Sequence, residues 1–246
     1  MFPIRDHNPS GRFAFVTLAL ILANLAVFLA YYPGSSDYAQ AQIYYDWGLI
    51  PARLLAGEGY ETLFTHMFLH GGWMHLAGNL LFLWIFGDNL EEQMGHFGFL
   101  LFYLLAGLAA AFVQILPDPY AMVPMVGASG AIAGVLGGYL LLFPKARVDV
   151  LFIFIIFFRI FALPAYVVLA VWFGIQLFAS LSGAEDGVAY WAHAGGFIAG
   201  LIFTLPVWLR RGGPRFWRRT DGQPPHAAAD YALQKSVIPK VGRRRS

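Results

Sequence analysis

Six long stretches of the sequence contain no Asp, Glu, Lys or Arg, and this feature limits the chain to few folds. They span residues 13–32, 71–87, 97–116, 126–143, 163–181 and 188–209. A helix needs roughly 17 to 25 apolar residues to cross about 30 Å of hydrocarbon. The chain is also 59% hydrophobic and 12% charged, which fits a lipid-facing surface. We predict an all-α, multi-pass membrane protein with six transmembrane helices.

The segments outside these stretches divide the chain into three parts. Residues 1–12 form a short N-terminal segment, residues 13–209 the membrane domain, and residues 210–246 a tail rich in Gly, Pro and basic residues. Such a composition predicts a flexible, solvated tail. Within the domain, residues 148–158 are too short to cross as a helix and precede Arg159 and Pro164. We therefore expect a buried or interfacial connection there.

The basic residues of the loops predict the orientation of the chain. Lys and Arg lie in the N-terminal segment, in the loop after the fourth stretch and in the tail, whereas the opposite loops contain only Arg53. The positive-inside rule therefore places both termini in the cytoplasm. The three arginines at 243–245 fit this topology signal or a contact with anionic lipid, and no nucleic-acid partner is expected. Stretches two, four and six then begin on the outer side.

Polar residues are concentrated at those three outer starts. His75 and Asn79 open the second stretch, Ser129 the fourth and His193 the sixth. Ionisable and amide side chains within a membrane usually face a bundle interior or a water-filled cavity and mark function. A serine hydroxyl becomes a nucleophile when an imidazole accepts its proton, and the same imidazole can protonate a leaving amine. We therefore predict a catalytic Ser129–His193 dyad, without a carboxylate.

Donors for a developing oxyanion are also available. His75 and Asn79 are four residues apart and share a helical face, and the backbone amide of Ser129 lies near a helix start. Glycines at four-residue spacing favour close approach of helices four and six, although the same spacing is common in ordinary membrane packing. They are Gly130, Gly134 and Gly138 in the fourth stretch and Gly196 and Gly200 in the sixth.

Other interpretations of these residues remain open at this point. Each could be structural when taken singly, and His75 and His193 could form a bis-histidine haem pair. The sequence lacks a His-Glu-x-x-His zinc motif, and Asp88 is the single candidate for an aspartyl mechanism. A transporter would be expected to show a repeat between its halves or a buried charge pair, and the sequence shows neither. We expect neither metal nor cofactor.

In combination, the motifs resemble those of the rhomboid family of intramembrane serine proteases. The resemblance covers roughly residues 13–209. It depends on HMFLHGGWMHLAGN at 66–79, GASG at 127–130 and AHAGGF at 192–197. It implies a six-helix bundle with a water-filled cavity open to the outer side. Its substrates would be transmembrane helices of other membrane proteins, cleaved near their outer ends.

The resemblance also implies a role for single residues. Ser129 matches the nucleophile, His193 the base, His75 and Asn79 the oxyanion-stabilising pair, and Gly196 the glycine that faces the serine helix. Residues 163–190 would form the mobile gate and cap. We interpret His66 and His70 as structural.

The sequence departs from the family pattern at two places. Ala133 replaces an aromatic residue that packs on the catalytic histidine in many rhomboids, so the group that orients His193 is open. Glu61 and Thr62 replace a common Trp-Arg pair. The alternative function is a non-catalytic rhomboid-like protein that binds membrane helices. We expect a multi-pass protein of a bacterial-type plasma membrane.

Overall fold

The computed structural model describes residues 2–154, 157–183, 187–227, 229 and 231, and each of the six apolar stretches contains a helix. The α-helices are α1 Phe15–Tyr31, α2 Asp37–Trp47, α3 Pro51–Leu55, α4 Thr62–Thr65, α5 Trp73–Met94, α6 His96–Ile115, α7 Ser129–Leu142, α8 Ala165–Ser182, α9 Tyr190–Arg210 and α10 Pro214–Thr220. A 3-10 turn spans His66–Phe68, and the strands are β1 Phe2–Asp6, β2 Arg147–Phe154 and β3 Phe157–Pro164.

Three of these helices are long and apolar enough to cross a membrane by length and composition. They are α6, α8 and α9. Helices α1 and α7 are apolar but shorter, with 17 and 14 residues. Helix α5 has 22 residues, and its last two turns contain Asp88, Glu91 and Glu92. The protein is therefore a mainly helical membrane protein.

Helix α7 lies at the centre of the bundle. Eleven of its 14 residues are buried, and it contacts α5, α6, α8 and α9. A helix that is apolar on all sides is stable only when other elements surround it. At about 1.5 Å per residue it rises about 21 Å, less than the hydrocarbon thickness. The fourth predicted stretch, 126–143, is thus longer than the helix that it forms.

The prediction of an all-α fold is wrong in one region. The connection predicted at 148–158 lies in an antiparallel hairpin of β2 and β3, and β1 pairs with the other edge of β2 to give the order β1-β2-β3. β-branched and aromatic residues favour strands, because their side chains pack well on a pleated surface. Strand β1 lies within the predicted N-terminal segment. It is held by Arg5 and His7, which both bind Asp149.

The predicted tail begins with a helix directly after α9. Helix α10 packs against the bundle with Phe216 buried, and Trp217 Nε1 donates a hydrogen bond to the Leu141 carbonyl at 2.9 Å. The Trp217 side chain of the tail thus binds the end of α7. The basic residues 243–245 lie outside the described residues, as do residues 184–186 of the predicted gate and cap.

The carboxyl group of Asp6 predicts a pH dependence of stability. It accepts a hydrogen bond from the Tyr139 hydroxyl at 2.7 Å, and burial raises its pKa from 3.8 to about 7. An acid with a raised folded-state pKa stabilises the fold below its unfolded pKa and loses this contribution as pH rises through the folded value. We expect Asp6→Asn to raise the Tm in detergent at pH 8. Each kcal/mol added to the free energy of unfolding should raise the Tm by about 2–4 °C. The gain should vanish at pH 4, and an equal gain at both pH values would contradict the prediction.

Candidate active site

Ser129 and His193 are in direct hydrogen-bond contact. Ser129 is the first residue of α7, and His193 lies in the first turn of α9. The His193 Nε2 atom is 2.7 Å from the Ser129 Oγ atom, and both side chains are partly buried. Residues 64 positions apart in the sequence thus form a pair with the reach needed for proton transfer.

Glycines bring the two helices close enough for this contact. A Cβ atom at Gly196 would collide with the Gly130 carbonyl oxygen, and one at Gly200 would collide with the Gly134 carbonyl oxygen. Small residues let helix backbones approach closely in membranes. Four of the five glycines singled out in the sequence, Gly130, Gly134, Gly196 and Gly200, therefore lie at the α7–α9 contact, below the Ser129–His193 pair.

The other ring nitrogen of His193 has a partner on α8. His193 Nδ1 is 2.7 Å from Oε1 of Gln176, which is 9% exposed. Because an amide oxygen can only accept, Nδ1 carries the proton and Nε2 is left free to accept from Ser129. The Trp172 ring lies beside the imidazole, with the ring centroids 5.9 Å apart. Helix α8 therefore supplies the orienting groups that the sequence left open at Ala133.

The backbone before α7 is fixed by the 3-10 turn and by His75. Gly127 has a φ of 131°, and its amide donates to the His66 carbonyl at 2.9 Å. A Cβ atom at this position would lie 2.8 Å from His75 Nε2. Only glycine fits both the backbone conformation and the space beside the imidazole. The GASG sequence thus places the start of α7 against His75.

His75 and Asn79 provide donors on one face of α5. The Gly71 amide donates to His75 Nδ1 at 3.3 Å, so that Nε2 carries the ring proton and faces Gly127. Asn79 is buried, and its Nδ2 atom has no hydrogen-bond partner among the described residues. An unsatisfied buried amide costs free energy. Such a group is suited to a ligand that arrives with an acceptor oxygen.

His66 and His70 make contacts with neighbouring loops. The His66 Nδ1 atom donates to the Thr62 carbonyl at 2.7 Å and is buried. The His70 carbonyl accepts from the hydroxyls of Tyr31 and Tyr44, at 2.7 and 3.0 Å. These bonds connect α1 and α2 to the segment before α5. The structure does not bring either imidazole into hydrogen-bond contact with Ser129 or His193 among the described residues.

Two glutamines near the site were not singled out in the sequence. Besides Gln176, the Gln114 side chain on α6 accepts from the Ala192 backbone amide at 2.9 Å and caps the start of α9. Each is the only glutamine in its apolar stretch. A polar side chain within a membrane helix is itself a signal of function. That signal could have identified both residues, although not their partners.

The sequence comparisons agree with this architecture. The family model described as the rhomboid domain matches residues 57–210, more than half of the chain. The rhomboid protease GluP of Bacillus subtilis is 36% identical over 53% of this chain and 25% of its own length. Rhomboid-like protein 11 of Arabidopsis thaliana, a chloroplastic protein, is 36% identical over 59% of this chain and 50% of its own length. Rhomboid protein 1 of Saccharomyces cerevisiae, a mitochondrial protein, is 29% identical over 64% and 46%.

These relatives bear on two further points. The chain spans a quarter to a half of the length of these relatives. They come from a bacterium, a chloroplast and a mitochondrion, so they do not support the specific expectation of a bacterial plasma membrane. The domain match covers the helices that contribute Ser129, His193, His75, Asn79 and Gln176. The chain belongs to the rhomboid family.

Proposed function

We propose that the protein is an intramembrane serine endopeptidase in which Ser129 is the nucleophile and His193 the general base. The observation that carries the proposal is the 2.7 Å contact between His193 Nε2 and Ser129 Oγ, with Nδ1 held by Gln176. In this tautomer Nε2 can take the hydroxyl proton as Oγ attacks a peptide carbonyl. Nε2 then protonates the leaving amine as the C–N bond breaks. Water attacks the acyl-enzyme in the second half, with His193 again as base.

Three donors support stabilisation of the oxyanion. They are His75 Nε2–H, the free Asn79 Nδ2 and the Ser129 amide, which lies in the first turn of α7 and lacks an intrahelical acceptor. Donors aimed at developing charge in a site of low dielectric constant contribute strongly to rate. Asn79 can donate to the oxyanion without first breaking a hydrogen bond, because its Nδ2 atom has no partner among the described residues.

The helices of the six apolar stretches support a proposed membrane placement. We propose that α1, α5, α6, α7, α8 and α9 all span the bilayer, that both termini are cytoplasmic, and that residues 13–209 form the protease domain. Ser129, His193, His75 and Asn79 then lie towards the outer side. Because α7 rises only about 21 Å, its start would lie below the outer surface. A water-accessible recess is therefore required, and the exposed His75 ring supports one.

The substrates in this proposal are transmembrane segments of other proteins, cleaved near their outer ends. A helical peptide bond is protected by its own backbone hydrogen bonds and must be unwound before attack. The second candidate function is a non-catalytic rhomboid-like protein that binds membrane helices. The Ser129–His193 contact favours the enzyme, because binding alone requires no hydroxyl in contact with an imidazole.

A serine-reactive probe tests the nucleophile directly. We expect a fluorophosphonate or isocoumarin probe to label the purified protein in detergent on Ser129, because the oxygen is activated by His193. Labelling should disappear in Ser129→Ala and persist in the control variant Ser182→Ala. The exposed Ser182 hydroxyl donates a hydrogen bond to a carbonyl at the end of α8, and among the described residues no imidazole is hydrogen-bonded to it. Unchanged labelling of Ser129→Ala would refute the assignment of the nucleophile, and absence of labelling in the wild type would favour the binding protein.

Gln176 is proposed as a positioning residue for His193. We expect Gln176→Leu to lower kcat about 100-fold with little change in KM, because the imidazole loses the acceptor that fixes its tautomer. Gln176→Glu keeps an oxygen acceptor and should retain much more activity than the leucine variant. The measurement is steady-state cleavage of a model transmembrane substrate. Equal loss in both variants, at unchanged Tm, would contradict the positioning role.

A further inference from the structure

The far end of the β2–β3 hairpin exposes a large apolar surface at the end of the bundle opposite Ser129. Four of its side chains, on both strands, are between 43% and 66% exposed: Ile153, Phe158, Ile160 and Phe161. We call residues 151–153 and 158–161 the apolar hairpin end. Its one charged residue is Arg159, which is exposed and has no acidic partner among the described residues. Exposed apolar patches of this kind mark interaction sites.

The strand register shows that one face of the hairpin end is entirely apolar and that the other carries Arg159 among apolar side chains. Leu151 pairs with Ile160 and Ile153 pairs with Phe158, which places these four side chains on one face. The other face begins near the bundle with the buried Val148 and Val150, and continues outward with Phe152 and Phe161, whose rings are 5.3 Å apart.

This arrangement favours a surrounding medium over a docked protein. On the second face Phe152 packs against the core, whereas Phe161 is 43% exposed. A protein docked on the first face would leave Phe161 uncovered, whereas lipid covers the exposed groups of both faces. The hairpin is also continuous with a lipid-exposed helix, since β3 ends at Pro164 and the membrane-span candidate α8 begins at Ala165.

The backbone and Arg159 limit the depth of insertion. Among the described residues, no strand pairs with the outer edge of β3, so its N–H and C=O groups need water or headgroup partners. Arg159, beside Phe152 on the bundle-facing side, can extend its guanidinium to lipid phosphate while its stem stays among apolar groups. These two features favour a position of the hairpin end at the boundary between lipid headgroups and acyl chains. Amphipathic elements insert there to a depth of about 5–10 Å.

We propose that the apolar hairpin end is an interfacial anchor that inserts into the headgroup–acyl boundary of the leaflet opposite the Ser129 side. The anchor fixes the α7–α8 connection at the membrane surface. Because α8 carries Gln176 and Trp172, it also defines where the helix beside His193 enters the bilayer. The inference does not depend on catalysis and can be tested in Ser129→Ala protein.

The absence of cysteine from the sequence allows a direct depth measurement. Phe158→Cys and Ile153→Cys are each labelled with the fluorophore NBD, and the full-length proteins are reconstituted in phosphatidylcholine and phosphatidylglycerol vesicles. The matched control is Asp221→Cys, whose side chain is 80% exposed and binds Lys145 near the base of the same hairpin. Lipids brominated near the headgroup or near the chain terminus act as quenchers.

We expect blue-shifted emission at positions 153 and 158, quenched more by shallow than by deep bromine, and water-like emission at 221. Water-like emission and iodide quenching at all three positions would overturn the proposal. Blue-shifted emission that is insensitive to brominated lipid would also overturn it, because a second copy or another protein segment would then cover the surface. Stronger quenching by deep bromine would refute the interfacial depth.

Discussion

Replacing Ser129 with alanine should reduce cleavage of a transmembrane substrate by at least about 10⁴-fold while leaving the bundle folded. In a soluble serine protease, loss of the nucleophile or of the base alone costs about 10⁶ in kcat. Ser129 is partly buried and makes its side-chain contact to His193, so the alanine variant loses one hydrogen bond and little packing. His193→Ala should show a loss of similar size. The measurement is substrate cleavage in proteoliposomes, followed by gel and mass spectrometry.

A double variant distinguishes a catalytic pair from two independent contributions. Groups that act as a unit are strongly non-additive, so Ser129→Ala/His193→Ala should be no slower than either single variant. His226→Ala is the matched control, because this imidazole binds Glu92 at the other end of the bundle. It should cleave at the wild-type rate. Substantial cleavage by folded Ser129→Ala protein would rule out the proposed nucleophile.

Asn79→Ala should lower kcat by about 10² to 10³ and change KM much less. The loss in kcat on removal of one oxyanion donor is typically of this size, because the lost hydrogen bond forms only as negative charge develops on the oxygen. Its Nδ2 atom is buried without a partner among the described residues, so the substitution removes no bond of the resting enzyme. The Tm should therefore stay near that of the wild type. Initial rates over a range of substrate concentrations in detergent separate the two constants.

The same helix offers a control for this variant. Asn89 is also a buried asparagine of α5, and its Nδ2 atom donates to the Asn8 carbonyl at 2.7 Å near the other end. Asn89→Ala should lower the Tm, because a buried hydrogen bond is lost. Its kcat per folded molecule should be unchanged. A kcat loss in Asn79→Ala no larger than in Asn89→Ala would exclude an oxyanion role.

The order and approximate position of the six helices in the apolar stretches could be predicted from the sequence, whereas α2, α3, α4 and α10 were not predicted. Lipid gives no hydrogen bonds to an exposed backbone, so long uncharged runs become helices, and each of the six runs contains one. Hairpin β2–β3 is an exception to this rule. Its residues are largely apolar, but they include Arg147 and Asp149, and the run is divided by Arg159 and Pro164. Strand β2 pairs with β3 and also with residues 2–6, which are distant in sequence.

The candidate residues at the helix starts could also be found from the sequence, because Ser129, His193, His75 and Asn79 are polar groups where apolar ones are expected. The sequence left open which atoms meet. Which imidazole nitrogen accepts from Ser129 is decided by Gln176, and the approach of α7 to α9 by the collision that any Cβ at Gly196 or Gly200 would cause.

The sequence by itself therefore determined the membrane class, the helices of the six apolar stretches and the candidate residues Ser129, His193, His75 and Asn79. Periodicity and charge report on each segment and its solvent. Only the tertiary structure decided the partner of His193, the unpaired state of Asn79 within the described residues, and the sheet at the opposite end. These features are contacts between segments that are far apart in the chain. Their free energy depends on distance and orientation, which local composition does not encode.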